Sequence, residues 1–187
     1  MEQASAYYSK LYITDRLDSW PIGKLGDLIE IQYGKDHKGL ATGNIPIFGS
    51  GGIIRFGNKA LYSDESVLIP RKGTLNNVIY INQPFWSVDT MFFTKMKKPD
   101  IAKFVFFFLK SKDLAGMNMG SAVPSMTADT LKNIQLYIPD DNTLRIFSKF
   151  VDPLFEYTKK LSDESKKLSD LRDLLLPKLL SGEIEIK

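Results

Sequence analysis

Apolar residues in the last quarter of this chain recur at steps of four and three, alternating up to Leu168: Phe147, Val151, Leu154, Leu161, Leu168, Leu171 and Leu175, with Thr158 and Ser165 in the two missing places. That is the coiled-coil period, and it runs too long for an ordinary globular helix. Asp140, Asp141 or Asn142 can cap the start, because a short oxygen side chain satisfies the first free N–H groups. Pro177 has no backbone donor and clashes one turn back, so the helix is expected to end or kink near Leu176. Gly182 offers a left-handed stop after Lys178, Leu179 and Leu180. About thirty-five residues at 1.5 Å each give an arm on the order of 50 Å. Its wet positions carry Lys149, Glu156, Lys160, Asp163, Lys167 and Asp170. A helix with one apolar stripe needs a partner helix, and the polar Thr158 and Ser165 cost stability while selecting register. Phe147, Phe150 and Phe155, near the base, suit docking of the arm onto a globular head.

Ahead of the arm the period shortens. From Trp20 to about Ile81 short β-branched and aromatic runs alternate with glycine-rich turns, predicting strands Ile29–Tyr33, Ile45–Phe48, Ile53–Phe56, Ser66–Pro70 and Val78–Ile81, followed by Asp89–Phe93. Glu2–Leu11 predicts a short helix with Ala4, Tyr7, Tyr8 and Leu11 on one side, and Asp15–Ser19 a polar connector. Pro99 at a helix start, then IAKFVFFFLKSK, predicts a buried helix packed on the sheet. Thr127–Asn133 has the look of a capping box, Ile134–Ile138 can return as a strand, and Pro139 marks a boundary. The expected fold class is α/β (α+β): a β-rich globular head over 20–140, preceded by a helix and connector over 1–19, with a long protruding C-terminal coiled-coil helix over 141–187. There is no internal repeat.

Composition narrows the choices. A length of 187 residues allows one domain plus an extension, and 43% hydrophobic with 12% aromatic residues belongs to a folded chain. No cysteine is present, which excludes disulfides and thiolate metal sites and fits a cytoplasmic setting. The opening MEQASAYYSKLY lacks the basic and apolar regions of a signal peptide, and the most apolar run, Phe104–Leu109, is too short to span a bilayer. Net charge is only +3, but residues 20–110 hold twelve Lys and Arg against seven Asp and Glu, while 143–187 are nearly balanced. The head is the basic part. Solvated surface lysines explain that excess as well as a nucleic-acid partner does.

Three turn-rich loops concentrate the cations and amides: Lys35, His37 and Lys38; Arg55 and Lys59; Arg71, Lys72, Asn76 and Asn77. DNA recognition needs donors for phosphates and forked groups for base edges, Arg for guanine and Asn for adenine. Taken singly, each loop also reads as an ordinary polar turn. Gly49, Gly51 and Gly52 precede a strand-like IIRF rather than a helix, so they mark a hairpin and not a phosphate cradle. Asn82-Gln83-Pro84-Phe85 resembles the amine-holding NPPF motif of adenine-N6 methyltransferases, but Gln83 breaks it and no methyl-donor loop accompanies it. Glu164-Ser165-Lys166 spells a nuclease ExK, but on the helical arm. His37 is the sole histidine, so no histidine triad or multi-histidine metal site can form. No catalytic group, metal site or cofactor is expected.

Several segments together carry a family resemblance. The arm's ending LRDLLLPKLLSGEI resembles the conserved spacer of type I restriction-modification DNA specificity subunits. WPIGKLGDLIEIQYGK (Trp20 to Lys35), IPIFGSGGI (Ile45 to Ile53), RKGTLNNVIYINQPFW (Arg71 to Trp86) and GSAVPSMTADTLKNIQLYIP (Gly120 to Pro139) follow in that family's order. The resemblance implies that 20–140 is a DNA target recognition domain and that 141–187 is a spacer helix. It implies double-stranded DNA as ligand, and separate modification (methyltransferase) and restriction subunits that do the chemistry. Full members of the family carry two such halves; this chain has one, as a half-subunit that homodimerises through its helix or a fragment of a two-domain protein. A different class remains open: a coiled-coil oligomerisation module whose head binds protein or a small ligand.

Overall fold

The computed structural model describes residues 1–117 and 125–184; the opening of the Gly120–Pro139 segment (120–124) and the last three residues of the tail lie outside the described residues. The first helix, α1 (Glu2–Ser9), runs into a π-helical turn over Lys10–Thr14. The head follows as β1 (Ile22–Lys24), α2 (Leu25–Leu28), β2 (Ile29–Tyr33), β3 (Thr42–Gly49), β4 (Gly52–Gly57), β5 (Ser66–Pro70), β6 (Ile79–Ile81), β7 (Trp86–Ser87) and β8 (Met91–Met96). It closes with α3 (Ala102–Lys110), α4 (Ala128–Lys132) and β9 (Gln135–Tyr137), and the arm is α5 (Asp141–Leu180).

Ser66-Val67-Leu68-Ile69-Pro70 is buried throughout because its sheet is covered on both sides. That sheet is antiparallel in the order β2-β8-β5-β6. Val67, Ile69 and Phe92 join Ile29 and Ile31 in a core shared with α1, α3 and the base of α5. Leu68, Met91 and Phe93, one residue out of phase, face a second core with Ile47, Phe48 and Phe85. The second sheet, in the order β4-β3-β7, supplies that other layer. A two-stranded ribbon, β1 with β9, joins the start of the head to its end just before the arm. Thr94, fully buried, is satisfied by β5: Val67 N–H donates to its Oγ1 at 2.8 Å, and the Ser66 hydroxyl donates to its carbonyl at 2.7 Å.

Asp140 caps the arm, its carboxylate accepting from Thr143 N–H at 2.9 Å and from the Thr143 hydroxyl at 2.8 Å. These bonds hold the Asp140 carboxyl below its usual range. The helix does not end near Leu176: α5 passes through Pro177 to Leu180, as it passes through Pro153. Each proline removes one donor, and both sit on exposed faces where water can serve the orphaned carbonyl. The stop comes at Gly182, with φ +73°, where Gly182 N–H reaches Leu179 O and Glu183 N–H reaches Lys178 O. That pair of bonds is the Schellman ending.

Other boundaries shift by one to three residues, the start of β3 from Ile45 back to Thr42 among them, and two shifts have a plain backbone cause. The strand expected over Asp89–Phe93 begins at Met91, because Val88–Thr90 form a turn closed by Met91 N–H to Val88 O at 2.9 Å. The helix expected from Pro99 begins at Ala102, since Asp100 takes a left-handed φ of 59° that no helix continues.

The arm's first three turns belong to the head. Leu144, Phe147 and Val151 are buried, and the Ser148 hydroxyl donates to Asp100 O at 2.9 Å. Phe147 meets Tyr8, Phe104 and Phe107, while Phe155 lies edge-on to Tyr80 at 4.7 Å. Phe150 is half-exposed yet rests on Tyr7, their ring centroids 4.1 Å apart. Each fully buried side chain of this kind contributes roughly 1.5–3 kcal/mol. Burial also raises the pKa of the Tyr8 phenol well above the ordinary range. Further out, Lys166 lies over the Phe56 ring at 5.3 Å, and Leu161, Leu168 and Leu171 are exposed while Leu175 is half-buried.

Candidate nucleic-acid interface

Antiparallel pairing sends the C-terminal ends of β2 and β5 and the N-terminal ends of β6 and β8 to one edge of the central sheet. The loops that leave there are tied by backbone bonds. Gly34 N–H reaches Met91 O at 3.0 Å, Lys35 N–H reaches Ser87 O at 2.9 Å, and Arg71 N–H reaches Thr90 O at 2.8 Å. On its far side Arg71 O accepts from Met126 N–H at 2.8 Å, and Lys72 bridges to Ser125. Gly34 has to be glycine, because a Cβ there would stand 2.0 Å from the Val88 carbonyl. Gly73, with φ +83°, brings the next loop against Ser50 of the β3–β4 turn.

Lys35, Arg71, Lys72, Asn76 and Asn77 are therefore brought together, and they divide by role. Lys35 and Lys72 are exposed. Arg71 is half-buried: its guanidinium lies over the Tyr33 ring at 5.4 Å, and one nitrogen donates to Asp89 O at 3.3 Å. Asn76 is engaged within the chain, donating to Asp113 at 3.1 Å and accepting from Ala115 N–H at 3.0 Å. The Asn76 bond, with that from Gly116 N–H, lowers the Asp113 pKa. Asn77 donates to Ser50 O at 2.8 Å and so ties its loop to the β3–β4 turn.

The remaining candidates form a second group behind the first. Arg55, on β4, donates through Nε to His37 Nδ1 at 3.3 Å, and through Nη2 to the carbonyls of His37 and of Leu40, the latter at 3.1 Å. It staples the 37–40 loop to the hairpin. Lys38 and Lys59 are exposed. The groups connect at Lys35, whose carbonyl accepts from the Trp86 indole at 2.9 Å.

Tyr33 escaped the sequence reading because it counted only as a strand residue. An aromatic at the last alternate position of a strand, directly before Gly-Lys, was the available signal. Phe85 of the NQPF segment is fully buried among Phe48, Tyr62 and Phe93. Among the described residues no group of acidic and histidine side chains could hold a metal ion, and no helix is long and apolar enough to cross a membrane.

Comparison with known proteins agrees with this architecture. The family model described as type I restriction modification DNA specificity domain matches residues 18–168. Two similar relatives are the type I restriction enzyme HindI specificity subunit of Haemophilus influenzae, 37% identical over 92 residues, and the MjaIX specificity subunit of Methanocaldococcus jannaschii, 30% identical over 76. These matches cover 49% and 41% of this chain but only 18% of each relative. Among solved structures, the S subunit of a type I restriction-modification system from M. genitalium superposes with a TM-score of 0.75 at 22% identity, over 95% of this chain and 53% of that one. The HsdS subunit from Thermoanaerobacter tengcongensis gives 0.56 at 13% identity, over 98% and 51%. The chain thus spans about half of these solved subunits and shares their fold over that half. With most of its length matched by the family model, the chain belongs to the type I restriction-modification DNA specificity domain family.

Proposed function

We propose that this chain selects the DNA sequence on which a type I restriction-modification complex acts. The observation that carries the reading is the convergence of Lys35, from one loop, with Arg71 and Lys72, from another, on one tied edge of the central sheet in a member of the specificity family. Exposed lysines neutralise phosphates, and a guanidinium with unused nitrogens can fork onto a guanine edge. Residues 20–140 act as the recognition domain and 141–187 as the spacer. Modification and restriction subunits, which bind through the assembled complex, supply methyl transfer and cleavage; this chain is non-catalytic, needs no cofactor, and works in the cytoplasm.

The exposed Leu161, Leu168 and Leu171, continued by the half-buried Leu175, support antiparallel pairing with a second copy, which buries that stripe and presents two heads to a symmetric bipartite site. Phe147 and Val151 are taken up by their own head, so the pairing surface begins beyond them. The test is a gel shift of the purified chain on a randomised duplex library, with and without a modification subunit. Enrichment of one bipartite sequence, and methyl transfer only when the modification subunit is added, is the expected result. Binding with no sequence preference in either case overturns the reading.

A further inference from the structure

Along β2 the alternation of a strand places Ile29, Ile31 and Tyr33 on one face. The first two are buried under the helices, whereas Tyr33, the third, is 54% exposed at the sheet's loop-bearing edge. An exposed tyrosine is unremarkable alone. This one is held. Its ring meets Phe92, its register partner on β8, edge to face with centroids 5.0 Å apart, and the Arg71 guanidinium covers it at 5.4 Å. The chain on its far side is fixed as well, since Gly34 is locked against the Val88 carbonyl. The exposed cations of the neighbouring loops, Lys35 and Lys72, flank the same edge.

A rigid aromatic beside an arginine, framed by phosphate-neutralising lysines, matches a particular pair of base-edge features. In the major groove the apolar feature is the 5-methyl group of thymine, and the feature suited to a guanidinium fork is the O6/N7 edge of guanine. Tyr33 has only two side-chain torsions to fix, and both are already restrained, so contact costs little ordering entropy. Arg71 Nη1 is oriented by Asp89 O, and the guanidinium is held over the Tyr33 ring. The geometry points to Tyr33 and Arg71 as one reading unit, with the Tyr33 ring against a thymine methyl and Arg71 on an adjacent guanine. The inference rests on the DNA-recognition reading above and adds a specificity-determining residue to it.

The test uses the full chain and the duplex it selects from a randomised library. Each thymine of that duplex is replaced in turn by deoxyuridine, which removes only the methyl group. One replacement next to a guanine is expected to weaken binding by the wild-type chain roughly fourfold, the worth of one buried methyl group. The same replacement should leave Tyr33→Ala unaffected and should still weaken Tyr33→Phe, which keeps the ring. Tyr33→Ala should lose its preference at that position while keeping its fold and its salt dependence. If no deoxyuridine replacement beside a guanine matters to the wild type, or if Tyr33→Ala retains every positional preference, Tyr33 is not a reader. In either case Lys72→Ala can still reduce salt dependence and leave the broader reading intact. If the wild-type chain selects no sequence at all, both fall together.

Discussion

The ammonium of Lys103, on α3, stands 2.9 Å from the Asp152 carboxylate on the arm. It also lies 3.0 Å from Glu65, whose carboxylate accepts from the Tyr80 hydroxyl. One half-buried cation therefore fastens the arm to two parts of the head. Burial opposes the charge on Lys103, but bonds with Tyr80 and Asp152 and the attraction of Glu65 outweigh it and raise its pKa above the ordinary 10.5. Lys103→Met leaves two carboxylates without their cation. The expected loss is about 1–3 kcal/mol, below the range for fully buried pairs because Glu65 and Asp152 are partly solvated. Urea unfolding measures it. A folded pKa raised above the unfolded one contributes stability that is complete below about 10.5 and lost as pH climbs through the folded value. The wild-type chain should therefore become less stable in strongly alkaline buffer, and Lys103→Met should lack that component.

The arm divides into a part that holds the head and a part that is open to a partner. Phe147 is fully buried, so Phe147→Ala should cost about 3–5 kcal/mol and Val151→Ala somewhat less, without a selective effect on association. Leu161 and Leu168 are exposed, so changing both to Glu should abolish the proposed self-pairing and leave the melting temperature of the head unchanged. Light scattering paired with thermal melts separates the two outcomes. A wild-type chain that is monomeric at micromolar concentration with its arm helical would remove the case for self-pairing.

Asn76 offers a sharper division between support and recognition. Its amide bonds both to the Asp113 carboxylate and to Ala115 N–H. In Asn76→Ala the Asp113 pKa should move up toward 3.8, its ordinary value, because its largest stabilising bond is gone. The sign follows from a carboxyl whose folded pKa is depressed: its contribution is present above 3.8 and is lost as pH falls through the folded value. Carboxyl NMR titration of the two chains reads this directly. An unchanged Asp113 titration would show that the amide does not support this loop.

The sequence revealed the long helix and its Gly182 stop and narrowed its cap to Asp140, Asp141 or Asn142, because each rests on local backbone chemistry; the fold selects Asp140. The sequence located β2 and β5 to the residue for a similar reason, since their apolar runs are bounded by turns on either side. It missed β1 and β7, three and two residues long, because strands so short are defined by distant partners rather than by their own pattern. The same limit applied to the site. The sequence could nominate Arg55, Asn76 and Asn77 as polar loop residues, but only the fold shows that their side chains bond to His37, Asp113 and Ser50. Tyr33 was invisible for the converse reason: its exposure depends on where the covering helices end.

The simplest measurement of the interface is the salt dependence of binding. Each lysine that neutralises a phosphate releases counterions, so its removal lowers affinity for all sequences alike and reduces the slope of log K against log salt by roughly one. Lys72 is exposed on a segment tied to Thr90 on one side and to Ser125 and Met126 on the other, so Lys72→Ala changes charge without loosening the backbone. Lys35→Ala should act in the same way, as its own backbone is held by Ser87. Arg71→Ala should differ, costing about 1–3 kcal/mol on the selected sequence and blurring its preference. Lys149→Ala and Lys167→Ala, on the arm, remove the same charge from exposed positions outside the interface and should leave the slope unchanged. If all five variants kept the wild-type slope and preference, DNA would have to engage another face of the head. Lys38 and Lys59 would then be the cations to test, because Arg55 between them already bonds to the 37–40 loop.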